Sequence, residues 1–401
     1  MKKIIVAIDS FKGCLTSIEA NQAAAAGIGS GDGSLIRSAS WIKEPSPDPV
    51  QIPVSDGGEG WLEAFHAAMG GKIVEVNVKD PLMRPIVAQY LVQGDTAVIE
   101  IAKASGLTLL SPEERNPMVA TSYGTGQLVV DAVRKGCKHI IVGLGGSATS
   151  DCGIGMLRAI IDAFSKGGNI PAGVPPHSLW DDVRELNDVH FTIATDVTNP
   201  LCGENGAAHV FAPQKFAIKR EQSELDSIAE REQTRPQVKG ATPELIETLD
   251  ARAKRFAAAS AKHLGRDCQN TPGAGAAGGL GYAFLQYMNA ECCSGINLLL
   301  DTIHFDDLLQ DADLVITGEG SADRQTLMGK LPFGILQRAK KHPVPVMLIA
   351  GRIADEQLLL DAGFSRVACI NPPGLPLEVA MQPATAKENI RKTVLDRGTV
   401  L

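Results

Sequence analysis

The sequence predicts two α/β domains with parallel or mixed sheets flanked by helices, on three observations. Short β-rich apolar runs recur at Ile4–Ile8, Ile73–Val78, Ala97–Ile101, His139–Gly143, Phe191–Thr195, Leu314–Thr317, Val346–Ala350 and Val367–Ile370. Helical patterns lie between many of them, and strand–helix alternation is the mark of α/β layers. At 401 residues the chain is too long for one ordinary core. The runs are continuous rather than alternating, as expected of strands covered on both faces.

In chain order, the first run ends at Asp9 and a helical pattern follows over Ser17–Ala26. Lys43–Pro53 carries four prolines and is expected to be extended or turning. A helix is expected to start at Trp61, and others cover Gly124–Lys135 and Gly153–Phe164. Gly167–Ser178 reads as a surface loop and Lys219–Lys239 as an exposed helix or loop. The longest helix should run from Pro243 to about Leu264, with Thr242 as N-cap, Pro243 in the first turn and Gly265 as terminator. Gly329–Lys341 forms a helix between two late strands, and no internal repeat or low-complexity tract occurs.

Composition narrows the function classes. Lys and Arg number 38 against 46 Asp and Glu, a net charge of -8 with no basic stripe, which argues against nucleic-acid partners and anionic membrane surfaces. The amino-terminal apolar run Ile4–Ile8 is cut off by Asp9, too short for a signal peptide, and no stretch of transmembrane length occurs. The eight cysteines show no C-x-x-C spacing and read as reduced thiols of a cytoplasmic protein. No paired Cys or His spacing suits zinc. The sequence is compatible with a homo-oligomer.

Five segments share one form, in which a strand-like run ends in a glycine-rich or acidic loop before a helix; ligands collect at such carboxyl ends of strands. In AIDSFKG, Asp9, Ser10 and Lys12 sit together, and a lysine there is a point charge suited to phosphate; a capped helix start with a solvated lysine fits equally. In PVSDGGEG, Gly57 and Gly58 between Asp56 and Glu59 let the backbone approach a ligand, unless the acidic turn only caps the helix at Trp61. GLGGSATSD, with Gly145, Gly146 and Ser147, leads into a helix amino terminus whose N–H groups and dipole favour phosphate or carboxylate. In ATDVTNPLCGENGAA, Asp196 and Asn199 could accept a hydroxyl proton or meet Mg2+; an Asx-turn before Pro200 is the alternative. In VITGEGSADRQTLMGK, Glu319 and Asp323 flank a glycine turn, and the closing Gly329-Lys330 lacks the rest of a P-loop. A G-x-G-x-x-G at Gly273, Gly275 and Gly278 would suggest a nicotinamide-dependent hydroxy-acid oxidoreductase, but no strand precedes it; its glycines are expected to open a helix over Ala276–Met288. A non-enzymatic hydroxy-acid sensor is the other rival. Acidic side chains together with helix amino termini are the parts of phosphoryl transfer.

DSFKG, DGGEG, ASGL, TSYGTGQL, GLGGSAT, D-V-x-N-P-L, APQK, PGAGAAGGLG and ADLVITGEG together resemble, in order, the bacterial ATP-dependent (type 1) glycerate kinase family. The resemblance implies phosphoryl transfer from MgATP to glycerate, usually giving 2-phosphoglycerate, with ATP and Mg2+ as the cofactors. It also implies a discontinuous Rossmann-like domain over residues 1–62 plus 290–401, with residues 63–289 inserted as the second domain. On that reading Asp196, Lys12 and Asp323 are catalytic, and Asp196 or Glu319 meets Mg2+ through MgATP. Substrate or phosphate falls to Asp9, Ser10, Asp56, Gly57, Gly58, Glu59, Gly145, Gly146, Ser147, Asn199, Gly275 and Glu319. The family's GEGRIDSQT reads GEGSADRQT here, placing Ser321 at the arginine position, with Arg324 as the expected substitute.

Overall fold

The computed structural model describes residues 3–29, 49–165, 174–215 and 242–395. The reading of Lys219–Lys239 lies outside these residues, as do parts of Lys43–Pro53 and Gly167–Ser178. Among the described residues the strands are β1 (Ile4–Ile8), β2 (Val50–Gln51), β3 (Lys72–Lys79), β4 (Pro85–Gln93), β5 (Thr96–Glu100), β6 (His139–Gly143), β7 (His190–Ala194), β8 (Glu291–Cys293), β9 (Leu314–Ala322), β10 (Val346–Ile353) and β11 (Arg366–Cys369). The chain folds as two compact units. One comprises Met1–Asp56, Glu63–Gly70 and Gly295–Leu401, the other Gly57–Leu62 and Gly71–Ser294.

The first unit is built on a five-stranded sheet in the order β11-β10-β9-β1-β2, parallel at every pairing. Read in the order its strands occur along the chain, it is the 2-1-3-4-5 doubly wound arrangement, the five-stranded relative of the Rossmann order. The chain moves outward from β1 to β2 on one side and from β9 to β10 on the other. Right-handed crossovers in opposite directions place their helices on opposite faces. The β1/β9 boundary is therefore the topological switch point. Val6, Ile8, Ile316 and Ile349 form one buried face with Ala20 and Ala24 of helix Ser17–Gly29 and Ile390 of helix Pro383–Leu395. A Cβ on Gly27 would lie 2.5 Å from the Arg391 carbonyl, so glycine is what lets these two helices meet.

Polar side chains on the first of those helices fix where β1 ends. Thr16 and Glu19 form reciprocal capping bonds at its start. The Ser17 hydroxyl donates to the Ile8 carbonyl at 2.5 Å and accepts from the Val54 amide at 3.0 Å. Asn21, fully buried, accepts from the Ile8 amide at 2.9 Å and donates to the Ile52 carbonyl at 2.8 Å. Two side chains thus stitch the ends of β1 and β2 together.

The second unit carries a six-stranded mixed sheet in the order β3-β4-β5-β6-β7-β8. β5 to β8 run parallel, and β3, β4 and β5 pair antiparallel. Here the expectation of strands covered on both faces needs correction. β3 alternates between more and less exposed positions and pairs along its length with β4, a strand whose own alternation and leading proline hid it. The helix expected over 243–264 forms as read: the Thr242 side chain accepts from the Leu245 amide, Pro243 sits in the first turn, and Gly265 closes it at φ +69°. No helix of the described residues is long and apolar enough to cross a membrane.

Replacing Asn21 with Leu should strip the Ile8 amide and Ile52 carbonyl of buried partners. The expected loss is about 1–3 kcal/mol for each group left unsatisfied, read as a lower urea midpoint.

Candidate active site

At the switch point of the first unit, β1 ends in Asp9, whose amide donates to the Gly318 carbonyl at 2.9 Å. The Asp9 carboxylate is 8% exposed and accepts from the Ser10 amide at 2.7 Å. The chain then makes a tight turn from Phe11 to Leu15, with Gly13 at φ +75°, leaving Lys12 exposed on it. Burial, and next the neighbouring Asp56, pushes the Asp9 carboxyl well above the usual range; the Ser10 amide and Lys12 draw it down, and Glu319 adds a further push upward. Asp56, Lys12 and Glu319 thus each lie within electrostatic reach of Asp9.

Glu319 is not in a glycine turn. β9 continues through it to Ala322, pairing Ala350 with Glu319 and Arg352 with Ser321. Gly318 is required inside the strand because a Cβ there would lie 2.4 Å from the Ile349 carbonyl. The buried Glu319 carboxylate accepts from the Thr326 hydroxyl at 2.6 Å and from Lys330 Nζ at 3.1 Å. Burial raises its pKa against these two partners. Asp323 caps the 3-10 turn Arg324–Met328: it accepts from the Gln325 amide at 2.7 Å, and its own amide donates to Thr326 Oγ1 at 3.0 Å. Gly329 follows at φ +102°, so the helix expected from Gly329 begins at Leu331, with Lys330 as its N-cap residue.

In the second unit, two glycine loops meet backbone to backbone. Gly145 donates to the Gly57 carbonyl at 2.8 Å, and a Cβ on Gly145 would lie 2.3 Å from Gly58 Cα. Gly57, at φ +101°, packs on the Ala194 carbonyl at the end of β7, and Leu144 donates to that same carbonyl at 3.1 Å. Buried Glu100, at the end of β5, accepts from the Leu62 amide at 3.1 Å, and Glu59 is exposed.

The open helix amino terminus expected after GLGGSATSD is already filled. Asp151 accepts from the amides of Gly153 and Gly155, both at 3.1 Å, and from the amide and hydroxyl of Ser122, both at 2.9 Å. The dipole of helix Ile154–Phe164 is therefore answered by the protein's own carboxylate. Ser147 pairs with Thr149 at 3.0 Å, and Gly146 accepts from the Leu107 amide at 2.8 Å. Asp196, just past β7, accepts from the Ser294 hydroxyl at 2.9 Å. The Asn199 amide group reaches the Asn205 carbonyl at 2.8 Å, while its backbone carbonyl accepts from Gly275 at 2.9 Å. Gly273 to Gly278 follow a turn rather than a strand, and Ala277, Gly278 and Gly279 have positive φ, so regular helix begins only after them. Sequence reasoning missed Ser294, because a three-residue strand containing Glu291 gives no strand signal. It also missed Thr326, although its spacing from Asp323 is that of a capping pair.

Buried carboxylates at the switch point of a doubly wound sheet define an α/β protein that binds small polar ligands at its strand ends. The sequence profile of the glycerate kinase family matches residues 4–235 and 234–398. The chain belongs to that family. It is similar to glycerate kinase from Bacillus subtilis (strain 168), 38% identical over 98% of this chain and 96% of that one. It is also similar to glycerate 2-kinase from Escherichia coli (strain K12), 37% identical over 92% and 91%. A solved structure of a candidate glycerate kinase 2 from Salmonella typhimurium LT2 matches with a TM-score of 0.72 at 36% identity, covering 98% of this chain and 96% of that one.

Because the Asp9 pKa is raised on folding, the native state holds more protons than the unfolded chain, and stability falls as pH rises from the unfolded to the folded value. Asp9→Asn should therefore have a higher thermal midpoint than wild type at neutral pH. That advantage should shrink as pH drops through the carboxylate range, which paired melting curves across pH would check.

Proposed function

We propose that this protein transfers the γ-phosphoryl group of MgATP to a hydroxyl of glycerate, giving 2-phosphoglycerate, as a member of the ATP-dependent type 1 branch; 3-phosphoglycerate is the alternative product. The observation that carries this reading is the convergence of Asp9, Asp56, Glu319 and Lys12 at the switch point of a chain in the glycerate kinase family. The 2-position is favoured because the similar Escherichia coli protein is a glycerate 2-kinase.

Among the described residues no group of three or more His, Cys, Asp or Glu side chains is arranged to hold a metal ion. Magnesium needs no such cage, since it keeps waters and takes one or two carboxylates plus nucleotide phosphates. The hard oxygens of Asp9 and Glu319, or of Asp196, suit that role. Mg2+ held there would supply neutralisation of charge on the phosphate oxygens. Lys12 adds a point charge for phosphate, with Ser10 and Asp56 beside Asp9. Asp196, oriented by Ser294, takes the proton of the attacking hydroxyl. Gly57, Gly145 and Gly275 hold the loops together through their own backbone hydrogen bonds, and the loops so placed bring Gly58, Gly146, Ser147, Asn199 and Glu59 to the small substrate. Asp323 acts through the turn that presents Thr326 to Glu319. Phosphoryl transfer asks little covalent chemistry of the protein, so placement and charge balance are its contribution.

An ADP-release assay with D- and L-glycerate, followed by enolase acting on the product, tests this. ADP should appear with one enantiomer and the product should be consumed; no release with either overturns the reading. Asp196→Asn should lower kcat by about 10²–10⁴-fold with an unchanged melting midpoint. Ser294→Ala should lower kcat more than it changes KM and shift the pH–rate profile, with Ser294→Thr restoring most of the rate.

A further inference from the structure

Arg352 lies near the carboxyl end of β10, and nothing in the motifs drew attention to it. In the β9–β10 ladder Ala350 pairs with Glu319 and Arg352 with Ser321. Partners across a parallel ladder share a face, and residues two apart on one strand return to it. Glu319, Ser321 and Arg352 therefore emerge on the same face. The opposite face is closed by the Phe11–Lys12 turn: a Cβ on Gly351 would lie 3.7 Å from Phe11 Cδ1, and one on Gly320 3.9 Å from the Lys12 amide.

On the Glu319 face the charges are unevenly matched. Glu319 already holds Lys330 and Thr326. Arg352 is exposed, and its guanidinium makes no hydrogen bond or ion pair with any described residue. β11 pairs no farther than Cys369 with Ala350, so the next strand does not extend over it. Its neighbour across the ladder, Ser321, is small and itself exposed. Arg324, by contrast, belongs to the separate 3-10 turn after the Asp323 cap. A guanidinium presents a planar fork of donors that matches the paired oxygens of a phosphate or carboxylate. It stands one strand from the switch point, where ligands of such sheets gather.

We propose that Arg352 is an oxyanion-binding residue of this site, gripping either the polyphosphate of the nucleotide or the carboxylate of the acid substrate on the Glu319–Ser321 face. The proposal rests on the kinase reading above for the identity of the two anions, though not for the grip itself.

Steady-state kinetics of Arg352→Ser should show KM raised about 10–100-fold for one of the two substrates, the loss of a charged hydrogen-bonding contact, with an unchanged melting midpoint. A rise for ATP identifies polyphosphate, and a rise for glycerate identifies carboxylate. Because Ser321 shares the face, adding Ser321→Arg to Arg352→Ser should return that KM to within about threefold of wild type. Arg352→Lys, which keeps the charge without the fork, should fall in between. Both KM values staying within twofold, or a double variant that recovers nothing, overturns the proposal. Should wild type release no ADP with glycerate, the kinase reading fails separately. Titration calorimetry with pyrophosphate and with D-glycerate then decides the grip: weaker binding of either probe by Arg352→Ser upholds it, and equal affinity for both refutes it.

Discussion

A carboxylate buried where two parallel strands end is the constraint around which the first unit is arranged. Asp9 is held out of water beside two other acidic groups, and each neighbour makes its ionised form harder to keep. The surrounding residues manage that cost. Ser17 and Asn21 satisfy the backbone at the end of β1 without touching the carboxylate, and Thr326 and Lys330 hold Glu319. A neutral residue at position 9 would avoid that cost, so stability alone does not account for a carboxylate there. Active sites commonly trade stability for such arrangements.

In the second unit the corresponding constraint is distance between backbones. Gly57, Gly58 and Gly145 meet where even one methyl group would collide, and the Ala194 carbonyl packs against the same point. This contact ties the loops after β6 and β7 to the segment before Trp61. Asn199 and Gly275 repeat the device between the loop after β7 and the turn before helix Ala276–Met288, since a Cβ on Gly275 would lie 2.3 Å from the Pro200 carbonyl. Many of the loop amides are consequently spent on other loops. The glycines serve first to bring backbones together, and ligand binding falls to whatever donors that packing leaves facing outward.

What the sequence made legible followed the strength of local signals. Ile4–Ile8 and the helix Pro243–Leu264 were readable because an apolar run and a cap-to-terminator frame are local features. β4 and β8 were not, because an alternating strand opening on proline and a three-residue strand carry almost no local signal. Gly318 and Gly320 looked like a turn although Glu319 lies within a strand. Gly318 is there for a close approach to Ile349, which only the neighbouring strand reveals. For the candidate site, the residue types and their strand ends were legible. Partners far along the chain, such as Ser294 for Asp196 and Asn21 for Ile52, were not, since they depend on tertiary contacts.

The same contacts separate carboxylates that build the fold from those that can act. An ionised carboxylate has about four acceptor positions. Asp151 fills its own with backbone amides and a hydroxyl at a helix amino terminus, and sequence position alone would have assigned that terminus to a ligand. Asp323 spends an oxygen on its 3-10 turn. Asp9 accepts a single hydrogen bond, from Ser10, among the described residues, although it is nearly fully buried. Burial without saturation is unfavourable unless something else supplies the missing partners. By that criterion Asp9, rather than Asp151 or Asp323, is the buried carboxylate with acceptor capacity left for a ligand.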